Sequence, residues 1–354
     1  MYVLIGILLL GILIAVHEFG HFIAARISGI AVMEFAIGMG PKLIGWTGKK
    51  SGTKFSLRLI PLGGFCAFYG EDDVTGKAQD DPRAYNKQNV WKRLFTVAMG
   101  PLMNFVLAFV VAVCVYACMG LTVSTSSIDA VMAGLPAEQS GLMAGDVIVA
   151  VDGVRMETAN EISTALNVGG RALDVTVQRG DAERTFSLTP VWVEDAEVNG
   201  GTPRYMIGIS FGQETVRLPL GSAVAAGWEY CLEAGTMVID ALRGLLTDPA
   251  IRDQVVGPVG TIQVVSEAVA ADGSLAFFSL LILISVNLGL MNLLPIPGLD
   301  GSRIVFHAIE AVRGKPVPQK VEATIHFIGF ILLMALMLFF TYKDILRIIF
   351  PGSN

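Results

Sequence analysis

Charge is what this sequence has least of. Asp, Glu, Lys and Arg make up 16% of its 354 residues, against 53% hydrophobic ones, a balance too apolar for an ordinary soluble protein. A net charge of −6 and the lack of any lysine- or arginine-rich run give nucleic acid no footing as a partner. Cysteine is scarce as well. Cys66, Cys114, Cys118 and Cys231 are scattered over a loop, an apolar run and an amphipathic stretch, so they build neither a disulfide framework nor a thiolate metal site. No basic residue precedes the first apolar run, which argues against a cleaved leader. No inverted repeat is visible, so a transporter ranks low.

The missing charge is missing in blocks. Residues 2–25, 97–120, 276–296 and 323–342 are each apolar over a length suited to a helix crossing the bilayer, which takes about 20 residues. Between the second and third runs, residues 122–218 are polar and numerous enough for a domain of their own. The spacing predicts strands over 147–151, 172–178 and 185–188 and a helix over 159–166, an α+β pattern. Residues 222–246 mix charges with apolar side chains and fit a helix at the membrane surface. Residues 30–92 are too polar to span, and Lys54 to Ile60 alternates as a half-exposed strand would, which predicts a membrane-associated hairpin.

Inside the first run the sequence places His17-Glu18-Phe19-Gly20-His21. Ionisable groups in hydrocarbon cost a few kcal/mol, so they face a protein interior or a wet cavity and carry function. On a helix, His17 and His21 lie four apart on one face and can hold one metal ion. Glu18 stands beside them without being a ligand, as the general base of a zinc hydrolase does.

The third run ends in Asn287-Leu-Gly-Leu-Met-Asn292-Leu-Leu-Pro295-Ile-Pro297-Gly-Leu-Asp300-Gly301. Its prolines stop a regular helix, and its polar residues are again expensive in a membrane. The first and third spans run in the same direction, so their polar ends lie at one depth on one side. A catalytic zinc takes three protein ligands and keeps a fourth position open. Candidates for the third ligand are Asp300, His307, His326 and scattered acids. Asp300 directly follows the broken span; His307 is about 10 Å further along if helical, and His326 opens another span. Asp300 is the choice.

These residues closely resemble the site-2 protease family, intramembrane zinc metalloproteases, and more narrowly its bacterial regulator-of-sigma-E protease type. His17 to His21 fits the family's HExxH, and Asn292 to Gly301 fits its N-x-x-P-x-P-x-x-D-G. Gly38 to Pro41, Phe55 to Gly64, Asn86 with Arg93, Gly100-Pro101 with Asn104, and Gly257-Pro258 are softer matches. Residues 122–218 resemble a single PDZ domain through Ser140 to Ile148 and Val151-Asp152-Gly153, where the best-known relatives carry two. Ser302-Arg303 and Ala98-Met99-Gly100 depart from the family's usual residues without touching a ligand.

The resemblance implies a multi-pass α-helical membrane protein: four transmembrane helices and a membrane-associated β-hairpin, with an inserted α+β PDZ domain. The parts are an N-terminal membrane part (1–121), the PDZ domain (122–218), amphipathic interfacial helices (219–275) and a C-terminal membrane part (276–354). The expected function is hydrolysis of peptide bonds in or near transmembrane segments of protein substrates, with one Zn²⁺ per chain. His17, His21 and Asp300 would hold the zinc and Glu18 would be catalytic. Asn287 and Asn292 would bind substrate backbone, the strand with Phe55, Leu57 and Leu59 would hold substrate extended by strand addition, and Gly208 would mark the PDZ peptide-binding loop. The implied partners are the lipid bilayer and an upstream site-1-type protease that trims the same substrates. Basic residues in 30–92 and 303–320 favour the cytoplasmic side for those loops, which puts the PDZ domain outside a bacterial inner membrane. The rival expectation is a PDZ-containing membrane scaffold with a vestigial metal site.

Overall fold

The computed structural model describes residues 2–71, 81–194, 204–248 and 255–349. The chain divides into two units, Met1–Ala117 with Pro219–Asn354, and Cys118–Leu218.

The first unit opens with α1 (Tyr2–Ser28), followed by β1 (Val32–Thr47), β2 (Lys54–Phe68) and α2 (Val90–Cys114). The Asn89 side chain caps α2 by accepting from the Trp91 N–H at 2.9 Å. The helices α1 and α2 touch backbone to backbone. A Cβ on Gly20 would stand 2.2 Å from the Met99 carbonyl oxygen, so glycine is what permits the crossing. Small residues serve this purpose between membrane helices, where lipid is as apolar as leucine and close packing drives association.

Each strand of the hairpin is bent into two arms. β1 turns at Gly38 and Gly40 (φ 87° and 82°) and β2 turns at Gly63 (φ 87°), a backbone region that favours glycine. The antiparallel register pairs Phe35 with both Cys66 and Phe55, and Phe55 in turn with Trp46. The arms therefore lie in the order 64–68, 32–37, 54–58, 42–47. The outer two carry the open edges.

The second unit is all short elements. In chain order they are β3 (Leu121–Val131), α3 (Pro136–Ser140), β4 (Val147–Val151), β5 (Val154–Arg155), α4 (Ala159–Leu166), β6 (Leu173–Arg179), β7 (Ala182–Leu188), β8 (Val191–Val193), β9 (Arg204–Met206) and β10 (Ile209–Val216). The sheet runs β10-β3-β4-β6-β7, with β5 beside β4 and β8-β9 as a separate ribbon. Alternate residues of β4 and β6 face a core of Ile128, Leu142, Ile148, Ile162, Leu173, Val175, Val177 and Ile207. The helix α4 starts with a capping box in which the Thr158 and Glu161 side chains each bond the other's backbone N–H. β4 and α4 have the ends expected from the sequence, and β6 and β7 lie within one and three residues of theirs.

The first unit resumes with α5 (Leu220–Thr247), α6 (Pro258–Leu293), α7 (Asp300–Arg313) and α8 (Gln319–Ile349). α5 packs Ala234 against Ala108 and Ala112 of α2 and Ile282 and Val286 of α6. α6 kinks at Gly273 (φ 67°), which separates its charged first half from its apolar second half. Its first turn is capped across the fold: the Asp344 carboxylate of α8 accepts from the Gly257 and Gly260 N–H groups at 3.1 and 2.8 Å. Four helices, Val3–Ser28, Val90–Met119, Pro258–Leu293 and Lys320–Ile349, are long and apolar enough to cross a membrane. All four apolar runs of the sequence thus become helices; those of the second and third runs start well before their windows and stop one to three residues short of the far end.

Candidate metal centre and active site

Three elements build the site. The helical repeat of α1 puts His17 and His21 on one buried face. α6 stops at Leu293, and Pro295 and Pro297 carry the chain round to α7, whose first residue is Asp300. Gly301 lets that turn close: a Cβ there would fall 2.2 Å from the Leu294 carbonyl oxygen. The turn aims the Asp300 carboxylate back at α1.

The two histidine Nε2 atoms and one aspartate oxygen converge. His17 Nε2 is 3.0 Å and His21 Nε2 3.3 Å from Asp300 Oδ2, and the two Nε2 atoms are 3.3 Å apart. A tetrahedral zinc with arms of about 2.0–2.1 Å holds its ligand atoms about 3.3 Å from one another. The triangle therefore has the edge length of one face of a zinc tetrahedron. Asp300 Oδ2 is also buried with no hydrogen-bond donor, an orphan that a cation would satisfy. The donor set, two imidazoles and a carboxylate, is a zinc set, and these residues fit the ion.

Around the triangle lies a cavity of about 680 Å³. Glu18 lines it next to the histidines, and Gly64, Phe65 and Cys66 of the outer β2 arm form one wall. Gly64 makes room for Glu18, since a Cβ would meet the Glu18 Cγ at 3.1 Å and the Ile14 Cγ2 at 2.9 Å. Asn292 and Phe330 also line it.

Not every expected residue is here. Asn287 is exposed on α6 and does not line the cavity. Phe55, Leu57 and Leu59 do not line it either. Phe55 stacks on Trp46 and packs against Phe22 and Phe35, and its arm is paired on both sides, so that arm has no edge on which another strand can add. The arm that faces the cavity with a free edge is 64–68. Gly208 sits in the loop between β9 and β10 at φ 84° with Leu135 pressed against it, within the second unit.

His307 and His326 fall into place as non-ligands. His307 is buried and its Nε2 takes the Tyr85 hydroxyl at 2.7 Å. Burial, with Arg93 and Arg303 nearby, pushes it down to about 3, so it stays neutral. His326 lines the catalytic cavity, and its Nδ1 accepts from the Gly298 N–H at 3.3 Å. Arg303 pairs with Glu71, and Arg93 with Glu310, which balances the charge beside the site.

The sequence reading gave no role to the floor beneath the histidines. His21 Nδ1 is 2.9 Å from the Thr96 carbonyl oxygen, and His17 Nδ1 is 3.2 Å from the Asn104 amide. The signal was there: Asn104 is a lone amide in an uncharged run, which is expensive in lipid.

Comparison with known proteins places the chain in a family. Peptidase family M50 matches residues 5–336. The chain belongs to that family, the site-2 proteases. It is a metalloprotease, a hydrolase of peptide bonds, in a family that uses zinc. A Clostridium acetobutylicum protein named as a candidate zinc metalloprotease is 35% identical over 97% of each chain. The zinc metalloprotease RasP of Oceanobacillus iheyensis is 30% identical over 97% of this chain and 98% of its own. The regulator of sigma-W protease RasP of Bacillus subtilis is 29% identical over 97% of each. The PDZ domain of an SdrC-like protein from Listeria monocytogenes matches 25% of this chain and 85% of its own at 23% identity, with a TM-score of 0.20.

Proposed function

We propose that this M50 protease cuts membrane proteins within or beside their transmembrane segments. The observation that carries the reading is the place of the site: His17, His21 and Asp300 converge among helices apolar enough to span a bilayer, with Glu18 beside them. His17, His21 and Asp300 would hold the zinc, which when bound supplies Lewis acidity and draws a water's pKa toward about 7.

The chain's own residues do the rest. A substrate helix hides its carbonyls in its own hydrogen bonds, so it must be unwound before it can be cut. The free edge of the 64–68 arm offers backbone groups to an extended segment, and strand addition there would lay that segment against the cavity. Asn292 lines the same cavity and can both donate to and accept from substrate backbone. Glu18 takes the proton of the water whose oxygen attacks the peptide carbonyl carbon. It returns that proton to the amine as the C–N bond breaks.

The substrates are transmembrane proteins such as anti-sigma factors or signal-peptide remnants, already trimmed by an upstream site-1-type protease. The single PDZ domain acts as a filter that admits them. The bacterial inner membrane is the location, with the PDZ domain on the extracytoplasmic side, as the basic loops at 30–92 and 303–320 favour.

Replacement Glu18→Gln tests the reading and separates it from a PDZ-bearing scaffold. Cleavage of a single-span test substrate in liposomes is expected to vanish while bound zinc stays at one per chain. Cleavage at the wild-type rate by the variant would overturn the mechanism.

A further inference from the structure

We infer that Asn104 is the positioning residue for His17: its amide oxygen accepts the Nδ1–H of that ring and so turns its Nε2 toward the metal. The inference rests on the zinc site proposed above.

The argument starts from tautomers. Both rings direct Nε2 at Asp300 Oδ2, and a nitrogen that binds a metal must offer its lone pair. Each neutral ring then carries its proton on Nδ1, and each Nδ1–H needs an acceptor because both rings are buried. His21 finds the Thr96 carbonyl oxygen at 2.9 Å. For His17 the polar group within reach is the Asn104 amide at 3.2 Å, on a residue with no exposure at all. An amide can present either end after a half-turn. The end of the amide that turns away is buried without a partner in either orientation, so the ring decides: with the oxygen toward His17, the Nδ1–H has its acceptor.

The spacing is matched on both helices. Thr96, Gly100 and Asn104 repeat every four residues along α2, as His17 and His21 do along α1. The pairs are 21 with 96 and 17 with 104, as an antiparallel crossing requires. Gly100 sits between them with the His21 ring against it. Ser285 of α6 fixes the height of Asn104 by donating to its backbone oxygen at 2.7 Å. A merely structural asparagine would hold α2 to a neighbour through its side chain. Here a serine does that through the main chain, and the Asn104 amide is left to face the ring.

Partners of this kind are worth roughly 10–100-fold in metal affinity. The test is the apparent zinc affinity of the purified full chain in detergent, read by competition with a chelator. Asn104→Leu is expected to bind zinc roughly 10–100-fold more weakly. Asn104→Asp, which keeps an acceptor at the same place, should stay close to wild type. An Asn104→Leu chain that holds zinc as tightly as wild type overturns the assignment, and so does an equal loss in Asn104→Asp. A readout on the unaltered protein covers the case in which Asn104→Leu does not fold. In the zinc-loaded chain, the ¹⁵N resonance of His17 Nδ1 should show a directly bonded proton, and a bare Nδ1 would end the proposal. A wild-type chain without zinc would instead overturn the site itself.

Discussion

At the scale of single residues the site depends on what glycine leaves empty. A Cβ on Gly100 would lie 2.2 Å from His21 Nε2 and 2.4 Å from its Cε1, distances no relaxed contact tolerates, with the α2 backbone behind it. Gly100→Ala must therefore push the ring away from Asp300. Misplacement by about 1 Å costs catalysis about 100-fold, so the expected outcome is cleavage down by about that factor and zinc below one per chain by metal analysis. The residues of the proposed site were legible in the sequence. His17, Glu18 and His21 follow from spacing, and Asp300 follows from two parallel spans that carry polar ends at one depth. Asn104 stood in the sequence only as a softer match beside Gly100-Pro101, and its cost in an uncharged run was not turned into a role. Asn287 was over-read for the converse reason. A polar residue in a span predicts a use, but only the rotation of the helix tells which way it faces.

At the scale of elements the hairpin decides where a substrate can lie. Alternation from Lys54 to Ile60 announced a strand, and there is one. What alternation does not carry is register, which comes from the bends at Gly38, Gly40 and Gly63. Those bends fold two strands into four arms and leave the 54–58 arm inside, paired to both neighbours. A strand with both sides bonded cannot accept a third, so the site moves to the arm with Gly64, Phe65 and Cys66. Substitution separates the two arms. Gly64→Val crowds Ile14, Glu18 and the Ala36 carbonyl oxygen, all within 3.1 Å of a first added carbon. It should abolish cleavage of the test substrate while zinc content stays at wild type, because no ligand is touched. Leu57→Ala, outside the cavity, should leave cleavage within about 2-fold, since a change that misses the reacting geometry leaves the barrier alone. The reverse ranking would return the substrate to the inner arm.

At the scale of the whole molecule the chain joins two units held together by different physics. The helical unit packs small residues and polar caps in lipid, where hydrophobic burial between helices contributes little. The polar unit has a water-driven core and charges that hold its loops. Its inserted position was legible because a long polar stretch between two uncharged runs cannot fold inside a bilayer, and its strands and helix were legible because a core in water enforces alternation. Its charges make the two units respond differently to acid. Asp146 is buried and accepts from Arg179 Nε and Nη2 at 2.6 and 2.7 Å and from the Met143 N–H at 2.9 Å. The Arg179 guanidinium holds its carboxyl below the usual carboxylate range. Asp152, bonded by the Asp174 N–H and paired with Arg171, is held low as well. The unfolded carboxylates, with an ordinary pKa of about 3.9, take up protons before the folded ones do. The stability these groups contribute is therefore full above about pH 5 and is lost as pH falls through the folded values. Thermal scans of the full chain in detergent should show the transition of the polar unit moving down steeply below about pH 4. Replacement Asp146→Ala strips Arg179 of its charged partner, which is worth about 2 kcal/mol for such bonds. In a unit of this size that lowers the same transition by about 10 °C at pH 7 and flattens its acid dependence. An unchanged acid profile in the variant would show that Asp146 does not carry it.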